Sequence, residues 1–161
     1  MMKRVLFRTG QSLLMLAMSL TVHAAENMKF HGTLVNAPDC HINNGRTIEV
    51  TFDNVGVNKV DGINYARKID YTVTCDGESP DNLYLSVDGT RVDWDSAAVK
   101  ASADNLAIEI RQAEKPFVLG SQIRVDLAAL PALSAVPVRD GDRPLAAGDF
   151  TAGATLIAFY Q

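Results

Sequence analysis

Along most of the chain beyond residue 24, apolar side chains fall on every second position, the period of a strand with one buried face. Ile48, Val50 and Phe52 alternate with Thr47, Glu49, Thr51 and Asp53, and Ile69, Tyr71, Val73 and Cys75 alternate with Lys68, Asp70, Thr72 and Thr74. The same spacing recurs in Leu83-Leu85-Val87, in Leu106-Ile108-Ile110 and in Ile123-Val125-Leu127. Turn-forming pairs punctuate these runs: Asn43-Asn44-Gly45, Asp61-Gly62, Asp76-Gly77, Asp88-Gly89 and Asp140-Gly141. Ser96 to Ala103 carries the one weak helical hint and is assigned as a loop or a single turn. Seven or so short strands with frequent turns predict an all-β chain, a two-sheet antiparallel sandwich of immunoglobulin-like type. The antibody variety is disfavoured, because its buried tryptophan lies between the two cysteines and Trp94 follows both Cys40 and Cys75.

The two ends of the pattern share a character. Met28, Phe30, Gly32 and Leu34 fall on one face of an alternating segment, a strand without an obvious sequence partner. Toward the other end, Phe150, Ala152, Ala154, Leu156, Ala158 and Tyr160 share a face of a strand that opens near Gly148, and the sequence given offers no further strand to cover its far side. Ile157 and Phe159 on the opposite face are apolar as well, which suits a strand covered on both faces. Residues 27–35 have two readings at this point. They are either the domain's own first strand, with Gly32 at a bulge, or a strand presented to another molecule.

Composition narrows the setting. Met1 to Ala24 has the form of a secretory signal: Lys3, Arg4 and Arg8, then the apolar run Leu13 to Met18, then small residues before a cleavage expected after Ala24. No later stretch reaches the roughly 20 apolar residues of a spanning helix. Removing residues 1–24 from the 161 leaves 137, enough for one domain with its own core. That remainder holds 12 basic and 19 acidic residues, a formal charge of −7, which argues against nucleic acid as a partner. Export to an oxidising compartment makes a Cys40–Cys75 disulfide the expected state. Closing a loop of about 35 residues stabilises a fold by roughly 3–4 kcal/mol in the chain-entropy model.

Catalytic chemistry finds few candidates. Beyond the signal only His31 and His41 are available for acid–base work, and neither has a catalytic setting. Asp88, Asp93 and Asp95 lack the calcium-loop spacing and its terminal glutamate, so they are assigned as loop charges, as are Asp140 and Asp142 with Arg139 and Arg143. No nucleophile elbow, phosphate loop or metal-ligand cluster is present, and no cofactor is expected. Tyr65, Tyr84 and Trp94 supply the alternative of a sugar platform, which would make the chain a receptor-binding adhesin or lectin domain.

Taken in order, several motifs resemble the pilins of type 1 and P fimbriae. These are Phe30-x-Gly32-x-Leu34 shortly before Cys40, the second cysteine at Cys75, Gly148 fourteenth from the end, and penultimate Tyr160. Cys40-His41-Ile42-Asn43-Asn44-Gly45, Ser134 to Val138 and Ala147 to Phe150 resemble the minor tip-adaptor members. The resemblance implies an incomplete immunoglobulin-like sandwich lacking its last strand. Residues 25–36 would then be an N-terminal donor-strand extension centred on Met28, Phe30, Gly32 and Leu34, and residues 37–161 the pilin domain. An acceptor groove would run beside Gly148 to Tyr160. The implied partners are a periplasmic chaperone, an outer-membrane usher and neighbouring pilin or adhesin subunits, with passage through the periplasm to a cell-surface fimbrium. Gly32 would mark a close approach of donor backbone to acceptor. The short extension makes a major rod role an unexpected one.

Overall fold

The structure, a computed structural model, describes residues 28–34, 39–77 and 82–160. The expected signal segment and its cleavage site lie outside the described residues. The chain divides into two units, Met1–Leu34 and Val35–Gln161. In the first, residues 28–34 carry no regular secondary structure and every one of them is exposed, Phe30 to 90%.

The second unit is built of short antiparallel strands: β1 (Cys40–Ile42), β2 (Arg67–Ile69), β3 (Val73–Cys75), β4 (Leu83–Gly89), β5 (Arg91–Val92), β6 (Asp95–Lys100), β7 (Leu106–Gln112), β8 (Lys115–Pro116), β9 (Ile123–Arg124), β10 (Leu133–Arg139) and β11 (Ala154–Tyr160). One sheet runs β2-β10-β7-β6-β5 with β8 beside β7, a second runs β11-β4-β9, and β1 pairs with β3. The alternation places Val99, Ile108, Ile110, Leu133 and Ala135 of the large sheet against Val87 of β4, with Phe117 and Leu119 filling the same cluster. A second cluster, Val73, Leu83, Leu85 and Val125, lies under the disulfide end, and Leu156 packs on both. The fold is thus the expected all-β sandwich, with its core between two sheets.

Four local expectations are corrected. Ser96 to Ala103 is not a loop: most of it is β6, with Ala97, Ala98 and Val99 at most 2% exposed. Burial between β5 and β7 overrides the helical preference of alanine, and methyl-sized side chains let the strand be covered on both faces. Ile69 to Cys75 is not one strand but two, because the chain leaves the large sheet after β2 and joins β1 through β3, with residues 70–72 making the crossing. Asp88-Gly89 is not a turn. It ends β4, where a Cβ on Gly89 would come within 3.3 Å of both the Gly153 carbonyl oxygen and a Val99 methyl, so glycine serves close packing there. Finally Ile48 to Phe52 keeps its alternation but pairs with no strand among the described residues.

Strand β10 fills the middle of the large sheet although it holds Pro137, which cannot donate to a ladder. The conflict is relieved by length: β7 runs beside all of β10, whereas β2 covers only Leu133 to Ala135, so Pro137 has a strand on one side alone.

Glu109, on the opposite face of β7 from Ile108 and Ile110, is 8% exposed and ion-paired with Arg111. Burial pushes its carboxyl above the ordinary range. Arg111 pulls the other way through a hydrogen bond and its charge, and the Asp95 side chain adds to the rise. A raised folded-state value contributes stability that is fully present below the unfolded carboxyl's range and is lost as pH climbs through the raised value. The urea midpoint of the wild-type chain should therefore fall relative to that of Glu109→Gln as pH rises from about 4 toward neutrality. Parallel midpoints would show that Glu109 does not carry this linkage.

Candidate functional site

The left-handed turn Asn43-Asn44-Gly45, with φ values of 50°, 53° and 73°, reverses the chain after β1. Asparagine and glycine bear that region at low cost. The Asn43 amide donates to the Thr72 carbonyl at 2.8 Å, and its side-chain nitrogen donates to the carbonyls of Arg46 at 3.2 Å and Thr47 at 3.4 Å. The chain leaves this turn as a segment without ladder pairing from Arg46 to Asn54, broken near its end by Asp53 at φ 51°. Val50 and Phe52 pack half-buried on the main core cluster, Ile48 is half-buried beside them, and Thr47, Glu49, Thr51 and Asp53 are exposed. Arg67 reaches it laterally, donating to the Thr51 carbonyl at 3.4 Å and pairing with Asp53 at 3.2 Å. Between Thr47 and Val55 no backbone amide has a backbone acceptor among the described residues.

Facing this segment is the end of the chain. Residues 151 and 152 are tied to the large sheet's side of the molecule by Ser102 N donating to Thr151 O at 2.8 Å, Thr151 N donating to Ser102 Oγ at 2.9 Å, and an Ala101–Ala152 bridge. From Ala154 onward β11 pairs with β4 in register Ala154–Gly89 through Tyr160–Leu83. One edge of β11 is therefore laddered, and its other edge has no strand among the described residues. Tyr160 pins the far end. Its hydroxyl lies 2.6 Å from Cys40 Sγ and 3.7 Å from Cys75 Sγ of the Cys40–Cys75 disulfide, which joins β1 to β3 as the cysteine count led one to expect. Burial first, and the nearby Asp39 carboxylate second, push the Tyr160 phenol up, so it stays a neutral donor.

Between Arg46–Asn54 and the stretch from Gly148 to Leu156 lies an open groove of about 1290 Å³. Its floor is the main core cluster itself: Val87, Val99, Ile108, Ile110, Leu133 and Ala135. The two walls touch at Phe52 and Phe150, whose ring centroids are 6.1 Å apart. An open trough with an apolar floor, flanked by two backbone stretches that lack a ladder on one edge, has the chemistry to take one further strand.

Of the residues singled out by alternation, Gly148, Phe150, Ala152, Ala154 and Leu156 line this groove, with Ala152 and Ala154 exposed on it. Ala158 and Tyr160 instead pack on the cluster at the disulfide end. Met28, Phe30, Gly32 and Leu34 are all exposed within the first unit, and a Cβ on Gly32 would meet nothing within 4 Å. The wall from Thr47 to Asp53 was not legible as a site residue set, since its alternation is that of any laddered strand. The aromatics of a sugar platform lie on separate elements: Tyr84 on β4 stacks with Phe159 at 6.1 Å, the Tyr65 hydroxyl accepts from Gly56 N at 3.1 Å, and Trp94 sits in the β5–β6 turn.

A family model described as fimbrial protein matches residues 28–161. The chain belongs to that family. It is 34% identical to the uncharacterized fimbrial-like protein YfcQ of Escherichia coli (strain K12), over 96% of this chain and 99% of that protein. It is 30% identical to the fimbrial-like protein YfcR of the same strain, over 80% and 77%. Among solved structures it resembles the P pilus adaptor subunit PapF, at 25% identity and TM-score 0.57, covering 77% of this chain and 97% of that one. It shares its fold with the P pilus rod subunit PapA, at 21% identity and TM-score 0.62, covering 83% and 99%. The protein is accordingly a structural subunit of a surface fimbrium, of the pilin fold used in chaperone–usher pili, and not an enzyme.

Proposed function

We propose that this fimbrial subunit is a minor pilin of the tip region, an adaptor, assembled by donor-strand complementation and exchange. The carrying observation is the groove: the core of the sandwich is open between Arg46–Asn54 and Gly148–Leu156, and its floor is the largest cluster of buried apolar side chains among the described residues. An open strand edge beside apolar side chains is an aggregation-prone surface unless a strand from elsewhere pairs with it. A periplasmic chaperone fills it first in this account. The donor extension of the next subunit, delivered at an outer-membrane usher, replaces the chaperone, and the fibre emerges on the cell surface to support adhesion. Residues 25–36 are the donor extension and residues 37–161 the pilin domain. The acceptor comprises Gly148, Phe150, Ala152, Ala154, Leu156, Ala158 and Tyr160, with Ile48, Val50 and Phe52 as its second wall. The adaptor assignment is supported by the identity to the adaptor PapF, 25% against 21% to the rod subunit PapA.

Met28, Phe30, Gly32 and Leu34 then face into the next subunit. The glycine, lacking a side chain, lets the donor backbone settle close to the acceptor. Replacement Gly32→Leu should leave the chain folded on its chaperone in normal yield and abolish its addition to a growing fibre. Unimpaired polymerisation of that variant would remove residues 25–36 from the donor role.

A further inference from the structure

The wall from Arg46 to Asn54 has no ladder among the described residues, so something other than backbone pairing holds it beside the groove. Side chains do so at both ends. At the turn end the Asn43 side-chain nitrogen donates to the Arg46 and Thr47 carbonyls. The other end carries two residues in the left-handed region, Asp53 at φ 51° and Tyr65 at φ 67°. A bulky side chain such as tyrosine is an outlier there. Backbone of this kind persists only where its surroundings fix it, and it gathers at functional sites.

Arg67 supplies part of that fixing. It opens β2, and its backbone is laddered to Ala135 of β10, a residue of the groove floor. Its side chain spans the break at Asp53: Nε donates to the Thr51 carbonyl at 3.4 Å, and Nη2 pairs with the Asp53 carboxylate at 3.2 Å. Two residues earlier, the Tyr65 hydroxyl accepts from Gly56 N at 3.1 Å. A Cβ on Gly56 would come within 3.2 Å of that hydroxyl, so glycine suits the close approach. Side-chain bonds from residues 65 and 67 thus stand where a ladder would be.

An ion pair as exposed as Arg67–Asp53 adds little to stability. Its geometry matters more, because a donor backbone bonds only at about 2.7–3.2 Å and a small displacement of the wall forfeits those bonds. We propose, on the reading of the groove as a strand acceptor, that Arg67 is a positioning residue for strand capture. Its guanidinium staples both sides of the Asp53 break to the laddered sheet, and Tyr65 holds the following turn, so that the wall stands ready for an incoming backbone.

The test compares melting of the mature chain with that of the same chain carrying residues 25–35 joined by a flexible linker after Gln161. Without the joined donor, Arg67→Ala should shift the melting temperature by under about 2 °C. With it, the rise that joining produces should fall to about half of the native rise, since ladder bonds on that wall are lost. Arg67→Lys should fall between, because an ammonium keeps the charge and lacks the planar fork that holds carbonyl and carboxylate together. Asp53→Asn combined with Arg67→Ala should lose no more of the rise than Arg67→Ala alone, as both substitutions break one staple. A contact that merely stabilised the fold would lower joined and unjoined chains equally. That result, or a rise unchanged by Arg67→Ala, overturns the positioning role and leaves the donor reading standing. No rise with Arg67 in place overturns both.

Discussion

Joining residues 25–35 through a flexible linker after Gln161 should raise the melting temperature of the mature chain by at least roughly 10 °C. The argument begins with exposure: Met28, Phe30 and Leu34 are 64% or more exposed, and the groove floor is apolar and open. Burying the three side chains corresponds to roughly 5–9 kcal/mol of transfer free energy, before the cost of ordering the segment and the gain from ladder hydrogen bonds. A chain of this size gains roughly 3–5 °C per kcal/mol, so even half of that transfer energy gives a large shift. A linker-joined Phe30→Asp donor supplies the control, because a carboxylate over the apolar floor forfeits the burial and is itself desolvated. Equal melting of the native, joined and control chains would mean that residues 25–35 do not complete this sandwich.

Replacing Cys40 and Cys75 by serine should cost about 3–4 kcal/mol, read as a loss of denaturant midpoint with a steeper slope, because the uncrosslinked denatured chain exposes more surface. The bridge closes a loop with a sequence separation of 35 and joins two strands of three residues each, which have few ladder bonds of their own. Its loss also removes the contact that Tyr160 makes at the end of β11. The effect should therefore spread to the groove: Tyr160→Phe, which keeps the ring and drops the hydroxyl, should weaken donor-strand capture while costing under about 1.5 kcal/mol of stability. Capture unchanged in both variants would separate the disulfide end from the groove.

Much of the sandwich was legible because burial and period coincide. Leu83, Leu85 and Val87 of β4 and Leu106, Ile108 and Ile110 of β7 recur at every second residue, and both strands lie at the centre of their sheets. The period failed where a different force set the conformation. β6 is rich in alanine, whose local preference is helical, and only its neighbours on both edges make it a strand. Ile69 to Cys75 alternates without interruption, so nothing in it marks the change of sheet; the break is dictated by where β10 and β1 lie. β10 could be noticed by resemblance, but Pro137 argues against a central strand until the shortness of β2 is known.

The candidate site divides in the same way. One wall followed from the face shared by Phe150, Ala152, Ala154 and Leu156, and the floor followed from the core positions of the other strands. The second wall did not. Alternation in Ile48, Val50 and Phe52 specifies which face is buried, and it is silent on whether the backbone has a partner at its edge. That missing ladder is a property of the assembled sandwich, visible only when the neighbours of residues 46–54 are in place.

Amide hydrogen exchange of residues 47–53 addresses the central claim most directly, because it reads the hydrogen bonds that a borrowed strand supplies. In the mature chain without chaperone or donor these amides should exchange as freely as those of loops, while the amides of β7 stay protected. Adding the peptide of residues 25–35 should protect them together with the free-edge amides of β11. Protection of residues 47–53 already present in the chain alone, and unchanged by any donor, would contradict a core completed by another polypeptide's backbone.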